Sequence, residues 1–209
     1  MGRSRARGFP SGVMMVEKAV KVKDGSHVVV RDMVPGDAQR SFEFFASLPE
    51  DDRRYLRVDV TRWDMVDRRT RELDSGRVIR LVADDGDAIV ADGALELEGH
   101  GWGNNVAELR VIVARPYQRL GLGTIVAREL YFLAAERKVD RIVVRMMRPQ
   151  SGAHRIFKRL GFAEEYLIPE HVRDQDGNWQ DLIIMRCNLE DMWREMEGLL
   201  EGSDIQWHR

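Results

Sequence analysis

The sequence predicts an α/β protein of the α+β kind: a mixed, mostly antiparallel central sheet of about six to seven strands flanked by helices. Three observations carry this. Strand-like and helix-like segments alternate in the order β, helices, βββ, α, β, α, ββ, α. The three consecutive strands are joined by connections short enough for an antiparallel meander. The next strand comes after a full helix, and that crossover makes the sheet mixed.

"SHVVVRDMV" opens the series as a strand of β-branched residues. "PGDAQRSFEFFASL" follows as a helix, with Asp37 as N-cap and Phe42, Phe45 and Leu48 on one face. "PEDDRRYLR" is a short helical piece with Pro49 in its first turn. A third helix runs from Thr61 to a stop near Gly76, with Trp63 as its anchor to the core. The charges in "DDRR" and "DRRTRE" read as solvated helix faces. "RVIRLVA" and "AIVADGALEL" form a hairpin around "DDGD", and "VAELRVIVA" is the next strand after the loop "EGHGWGNN". Leu122, Val126, Leu130 and Leu133 make an apolar stripe on a helix over 122–138. "RIVVRMM" is a strand, and "SGAHRIFKRLGF" a helix stopped by Gly161. Two strands around "QDGN" and a closing helix from residue 190 complete the order.

A chain of 209 residues with no internal repeat or linker suits one domain, expected over 26–209, after an N-terminal extension of about 25 loosely ordered residues. Net charge is −2 and the isoelectric point about 6.2, which gives no general affinity for nucleic acid. No run approaches the ~18 apolar residues of a membrane span. The single cysteine, Cys187, rules out an internal disulfide and reads as a buried strand residue; Cys/His metal spacings are absent. The expectation is a soluble cytoplasmic protein without a metal.

The most informative stretch is "QRLGLGT", residues 118–124, between a strand and a helix. A helix N-terminus carries unpaired N–H groups and about half a positive charge. Gly121 and Gly123 let the backbone approach an anion, and Arg119 adds a cation, so the joint reads as a pyrophosphate site. The competing reading is that the glycines only ease helix–sheet packing. A P-loop is excluded, since Thr124-Ile125 follows Gly123 where Lys-Ser/Thr is needed. A dinucleotide turn is excluded by Val126 in place of the third glycine and by the intervening "RPYQR".

"QRLGLG" resembles the Gln/Arg-x-x-Gly-x-Gly/Ala pattern of the GCN5-related N-acetyltransferases (the GNAT superfamily), which move an acyl group from acyl-CoA to an amine. "ELRVIVARPYQ" is similar to the family's fourth strand and loop, and "SGAHRIFKRLGF" to its Asn-x-x-Ala-x-x-x-Tyr-x-x-x-Gly-Phe segment. The order of elements matches from about residue 27 to 190. The helical N-terminal half and "HVRDQDGNWQDLIIM" are similar to bacterial members related to protein-lysine acetyltransferases.

The resemblance implies the acyl-CoA N-acyltransferase fold and acetyl-CoA as co-substrate. Its fourth and fifth strands splay, and pantetheine pairs there with the backbone of Val111, Ile112 and Val113, residues that also read as core strand. The diphosphate lies on the amides of Gln118, Arg119, Leu120, Gly121, Leu122, Gly123 and Thr124. At pH 7 only about one lysine-like amine in 2,500 is neutral, a handicap of roughly 4.6 kcal/mol that a carboxylate base relieves. Glu108, ten residues before Gln118, matches a glutamate that serves several members as base; otherwise it is an edge carboxylate paired with Arg110 or another cation. Phe157 stands where the family often has a proton-donating Tyr, and Gln150 where Asn is common. The thiolate then leaves without a dedicated acid, or Tyr166 or His154 serves; by default Tyr166 is sheet filling and His154 an exposed helix residue. Met146 and Met147 read as core and cleft lining, Trp102 as part of a loop bordering the acceptor cleft, and Arg145 and Arg148 as facing the acceptor or flanking their strand. The acceptor is an amine, on a small molecule or a protein lysine. Strand-edge pairing in the family extends to this chain the expectation of a homodimer. Two functions fit: an active N-acetyltransferase, or a degenerate acyl-CoA-binding sensor or interaction module, which the departures at Phe157 and Gln150 keep open.

Overall fold

Eight strands form one sheet in the computed structural model, which describes residues 16–97, 101–103 and 105–190. The strands are β1 (Glu17–Lys21), β2 (His27–Asp32), β3 (Val78–Asp84), β4 (Ile89–Leu97), β5 (Val106–Val113), β6 (Arg141–Met147), β7 (Ala163–Arg173) and β8 (Trp179–Asn188). They lie in the order β1-β2-β3-β4-β5-β6-β8-β7, and only β5 and β6 run parallel. The expected six to seven strands are thus one short, because β1 falls inside the segment expected to be loose. It pairs with β2 from Glu17↔Arg31 to Lys21↔His27. Lys18 and Lys21 give it the charged character of an edge strand, which hides the usual apolar alternation. Lys18 Nζ also reaches the buried Glu129 at 2.5 Å.

Among the described residues five α-helices cover the sheet: α1 (Ala38–Ser47), α2 (Glu50–Arg53), α3 (Trp63–Arg71), α4 (Leu122–Glu136) and α5 (Ser151–Arg159). α4 lays its expected stripe, Leu122, Val126, Leu130 and Leu133, against Leu81, Ala91, Leu95 and Leu109. The approach is close. A Cβ on Gly93 of β4 would stand 2.5 Å from Val126 Cγ1 and 2.9 Å from Leu130 Cδ1. On the opposite face α1 and the segment before α3 pack Phe44, Phe45, Leu48 and Val60 onto Met33, Val82 and Ile89.

Local differences from expectation follow from tertiary contacts. Phe44, not Phe42, shares the buried face of α1; Phe42 meets Trp63 edge-on at 5.7 Å. Trp63 is half exposed and ties α3 to α1 rather than to the core. Asp37 precedes α1 as expected, but its carboxylate accepts from the Val34 N–H at 2.9 Å and from Arg31 instead of capping the helix. Cys187 is buried in β8 as expected. The closing helix lies outside the described residues beyond Leu189 and Glu190, which are helical. No described helix is long and apolar enough to cross a membrane.

Candidate active site

β5 and β6 part company early. Their pairing covers Val106↔Arg141, Ala107↔Ile142 and Glu108↔Val143, yet β5 continues to Val113 and β6 to Met147. Beyond Glu108 the sheet therefore has a gap. Backbone groups alternate sides along a strand. The Ala114 N–H donates to Val90 O at 2.9 Å, so residue 112 is turned toward β4, and Val111 and Val113 toward the gap. The Gln118 side-chain amide confirms the direction by donating to Val113 O at 3.0 Å. Of the three residues expected to offer backbone to an extended ligand, Val111 and Val113 face the gap, the Val113 carbonyl already accepting from Gln118, and Ile112 is engaged in the β4 ladder.

The N-terminus of α4 faces this gap. Arg119 (φ 62°) and Gly121 (φ 90°) are both left-handed, which turns the chain sharply just before the helix. In a helix the first turn's N–H groups have no intrahelical acceptor. A Cβ on Gly123 would sit 3.4 Å from Val113 and 3.5 Å from Ile156, so this glycine keeps the seam between β5 and α5 slim. Two residues that the sequence did not single out hold the loop. Tyr117 Oη donates to Asp85 at 2.7 Å, which pushes the phenol up to about 12. Lys23, in the β1–β2 turn, donates its N–H to Leu120 O at 3.2 Å, with its side chain beside Gly121.

The gap leads through the sheet into a cavity of about 580 Å³. On the α4–α5 side its walls include Val111, Met146, Gln150 and Phe157; on the α1–α3 side they are largely charged. Strand alternation places Arg80, Asp92, Glu96, Glu108, Arg110 and Arg145 on that second face. Arg69 of α3 grips Asp92 at 2.8 and 2.9 Å and lies over the Phe45 ring at 4.4 Å. Arg110 bonds Glu96. Arg69 corrects the reading of "DRRTRE" as wholly solvated: it is buried. An arginine with an acid on the facing strand leaves no mark in helical periodicity.

Glu108 is buried at the last paired position before the gap. Arg57 holds both its oxygens, Arg145 Nη1 donates to Oε2 at 2.5 Å, and Arg110 Nε lies 3.7 Å from Oε1. The expected pairing of Glu108 with Arg110 or another cation is thus present, but on a buried interior strand rather than at an edge. Phe157 is buried against Phe162, 5.2 Å between centroids, and borders the cavity without a proton to give. Gln150 Oε1 accepts from the Met147 N–H at 2.8 Å and so closes the β6–α5 turn. Tyr166 is exposed rather than sheet filling, because β7 is the edge strand. His154 is half-buried and paired with Glu164 at 2.8 Å; neither borders the cavity, whereas Tyr55 does. Arg145 meets the cavity, and Arg148 instead pairs with Asp181 at 3.0 Å. The Trp102 side chain lies outside the described residues. Among the described residues no cluster of His, Cys, Asp or Glu has a metal-binding arrangement.

Among the described strands, the sheet opens along its one parallel pair, beside a glycine-bearing helix N-terminus. The chain belongs to the acetyltransferase (GNAT) family, whose model matches residues 41–162. It is accordingly an acyl-CoA-dependent acetyltransferase with acetyl-CoA as donor. No curated protein matches its sequence. Solved structures share the fold. The GNAT domain of S. lividans PAT is 18% identical, with a TM-score of 0.67 over 82% of this chain and 96% of that one. The ribosomal-protein-S5-alanine acetyltransferase of Vibrio fischeri is 14% identical, with a TM-score of 0.70 over 84% and 98%. The acetyltransferase yncA of Salmonella typhimurium, solved with its cofactor acetyl-CoA, is 18% identical, with a TM-score of 0.63 over 78% and 94%.

Proposed function

We propose that the protein transfers the acetyl group to a primary amine by direct attack on the thioester. The observation that carries this reading is the end of β5–β6 pairing at Glu108, which opens a cavity from Val111, Gln150 and Phe157 to the charged far face. The amides of residues 119–124 hold the diphosphate, with Arg119 and Lys23 as nearby cations; the Gln118 N–H, expected in this set, instead donates to Arg115 O at 3.2 Å. Val111 and Val113 offer backbone groups to pantetheine, and Val111, Met146 and Phe157 exclude water around the thioester. The bound cofactor supplies an activated acyl carbon. A C–N bond forms, the C–S bond breaks, and the thiolate leaves without a dedicated acid, which a thiol pKa of about 8.5 permits.

Glu108 takes the amine's proton, directly or through water, once Arg57 has moved off it; Arg57 is partly exposed and belongs to the irregular segment between α2 and α3. The clamp on Glu108 favours a second reading, in which Glu108 positions Arg57 and Arg145 and the amine loses its proton to solvent. Thiol release from acetyl-CoA over a panel of primary amines tests the activity, and no turnover on any of them sinks the amine reading. Glu108→Gln between pH 7 and 9 separates the two roles. A lost base costs about 10²–10³-fold at pH 7, and the loss shrinks as the pH nears the amine's own value near 10.4. A lost positioning residue costs the same at every pH.

A further inference from the structure

The far side of the cavity is lined by buried arginines and their acidic neighbours. Arg80 of β3 and Arg110 of β5 flank Ala94 of β4 at the same level of the sheet. The small Ala94 leaves a floor between two guanidinium walls, and adjacent strands ~4.8 Å apart put the two arginine backbones about 10 Å from one another. Arg69 closes the site from α3.

Arg80 is the informative residue. Only 5% of its surface is exposed, and it borders the cavity. Among the described residues its guanidinium makes no hydrogen bond. Asp92 stands 3.7 Å away, Glu72 and Glu96 4.0 Å, and Nε is buried without a partner. Arg69 Nη1 and Arg110 Nε are also buried without a hydrogen bond among the described residues. A buried donor left unbonded costs about 1–3 kcal/mol, more when charged. Burial, with Arg69 adding repulsion, brings Arg80 down to about 10, still charged at neutral pH. The described acids do not outnumber the cations: Glu72, Asp92, Glu96 and Glu108 face Arg57, Arg69, Arg80, Arg110 and Arg145.

We propose that Arg80, with Arg69 and Arg110, binds an anionic group, a carboxylate or a phosphate, carried by a small amine acceptor. The planar guanidinium suits either anion because it offers paired donors. The acceptor lies with its anion on the Ala94 floor and its amine toward the gap beside Glu108. Polycationic amines and lysines in basic segments are disfavoured, since they would bring positive charge to guanidiniums already short of partners. This rests on the acetyl-transfer reading above and names the acceptor class for the same site.

The full-length protein, saturated with coenzyme A so that the α4 amides are occupied, is titrated calorimetrically with malonate and with inorganic phosphate. One or both bind, and the tighter of the two identifies the anion. Arg80→Met and Arg110→Gln each weaken that binding at least tenfold, Arg80→Lys weakens it less, and coenzyme A affinity stays within twofold in all three, which reports an intact fold. In thiol-release assays an amine bearing the preferred anion exceeds the same amine with that group amidated or esterified by at least 30-fold in kcat/KM. Absence of anion binding, equal binding by parent and variants, or better turnover of a polyamine than of anionic amines overturns the proposal. Failure of the donor reading shows separately, as failure to bind coenzyme A; the difference between parent and Arg80→Met in anion binding still reports on Arg80 in that case.

Discussion

Single residues set the tolerances of this site. Gly93 is read too easily as a propensity fault in the middle of β4, yet α4 packs where its side chain would be. Gly93→Ala is expected to cost about 1–3 kcal/mol in urea unfolding, the range for overpacking a dense core. Val126→Ala in the same chain should recover part of that loss, because Val126 Cγ1 is the nearest atom. Equal stability of Gly93→Ala and parent would mean that α4 sits farther from the sheet. Glu108 teaches a different lesson. Its number in the chain and its strand were readable from "AELRVIVA", but not the guanidiniums of Arg57 and Arg145 that hold it. Those come from a segment 51 residues earlier and a strand 37 residues later, and no local pattern connects them.

At the scale of elements, the strand–turn–helix from β5 to α4 carries the proposed donor site. Gly121 at φ 90° can be replaced by alanine only with left-handed strain of about 1–2 kcal/mol. Gly121→Ala is therefore expected to lower stability by that amount and to raise the Kd for acetyl-CoA at least tenfold, measured by calorimetry. Gly123→Ala meets only ordinary contacts, so it should fold normally, and a change in its Kd for acetyl-CoA reports on the approach to the α4 amides. The β1–β2 hairpin contributes from the side. Lys23→Ala should weaken acetyl-CoA binding a few-fold at low ionic strength and hardly at all in 1 M salt, where the Debye length shrinks to about 3 Å. A loss independent of salt would point to the Lys23 backbone contact with Leu120 rather than to its charge.

Across the whole molecule, charged residues knit the N-terminal helices to the sheet. Asp84 on β3 accepts from Arg40 of α1 at 2.5 and 2.7 Å, from the Gly86 N–H at 2.9 Å and from Arg31 at 2.9 Å, which together hold its carboxyl far below the usual range. A carboxylate depressed on folding stabilises above its unfolded pKa of about 3.9, and that stabilisation fades as the pH falls toward the folded value. Unfolding free energy should thus be flat above about pH 5 and fall below pH 4, and Asp84→Asn should remove about 1 kcal/mol at pH 7, allowing for solvent screening of the pair. Undiminished stability at pH 3 would count against this brace. The element order, the hairpin at "DDGD", the α4 stripe and the glycine joint were all legible in the chain, since each is a local pattern of period, turn residue or cap. β1 was not, because an edge strand bears lysines as a loop does. The family motif marked where the donor is proposed to bind, but the wall opposite was invisible. Arg69, Arg80, Ala94 and Arg110 come from α3 and three strands, and only sheet register and helix packing decide that they share one cavity. The sequence by itself determined the class of chemistry, through short-range rules of backbone and turn; the tertiary structure decided the charge that an acceptor meets, because charge in a pocket is a sum over residues far apart in the chain.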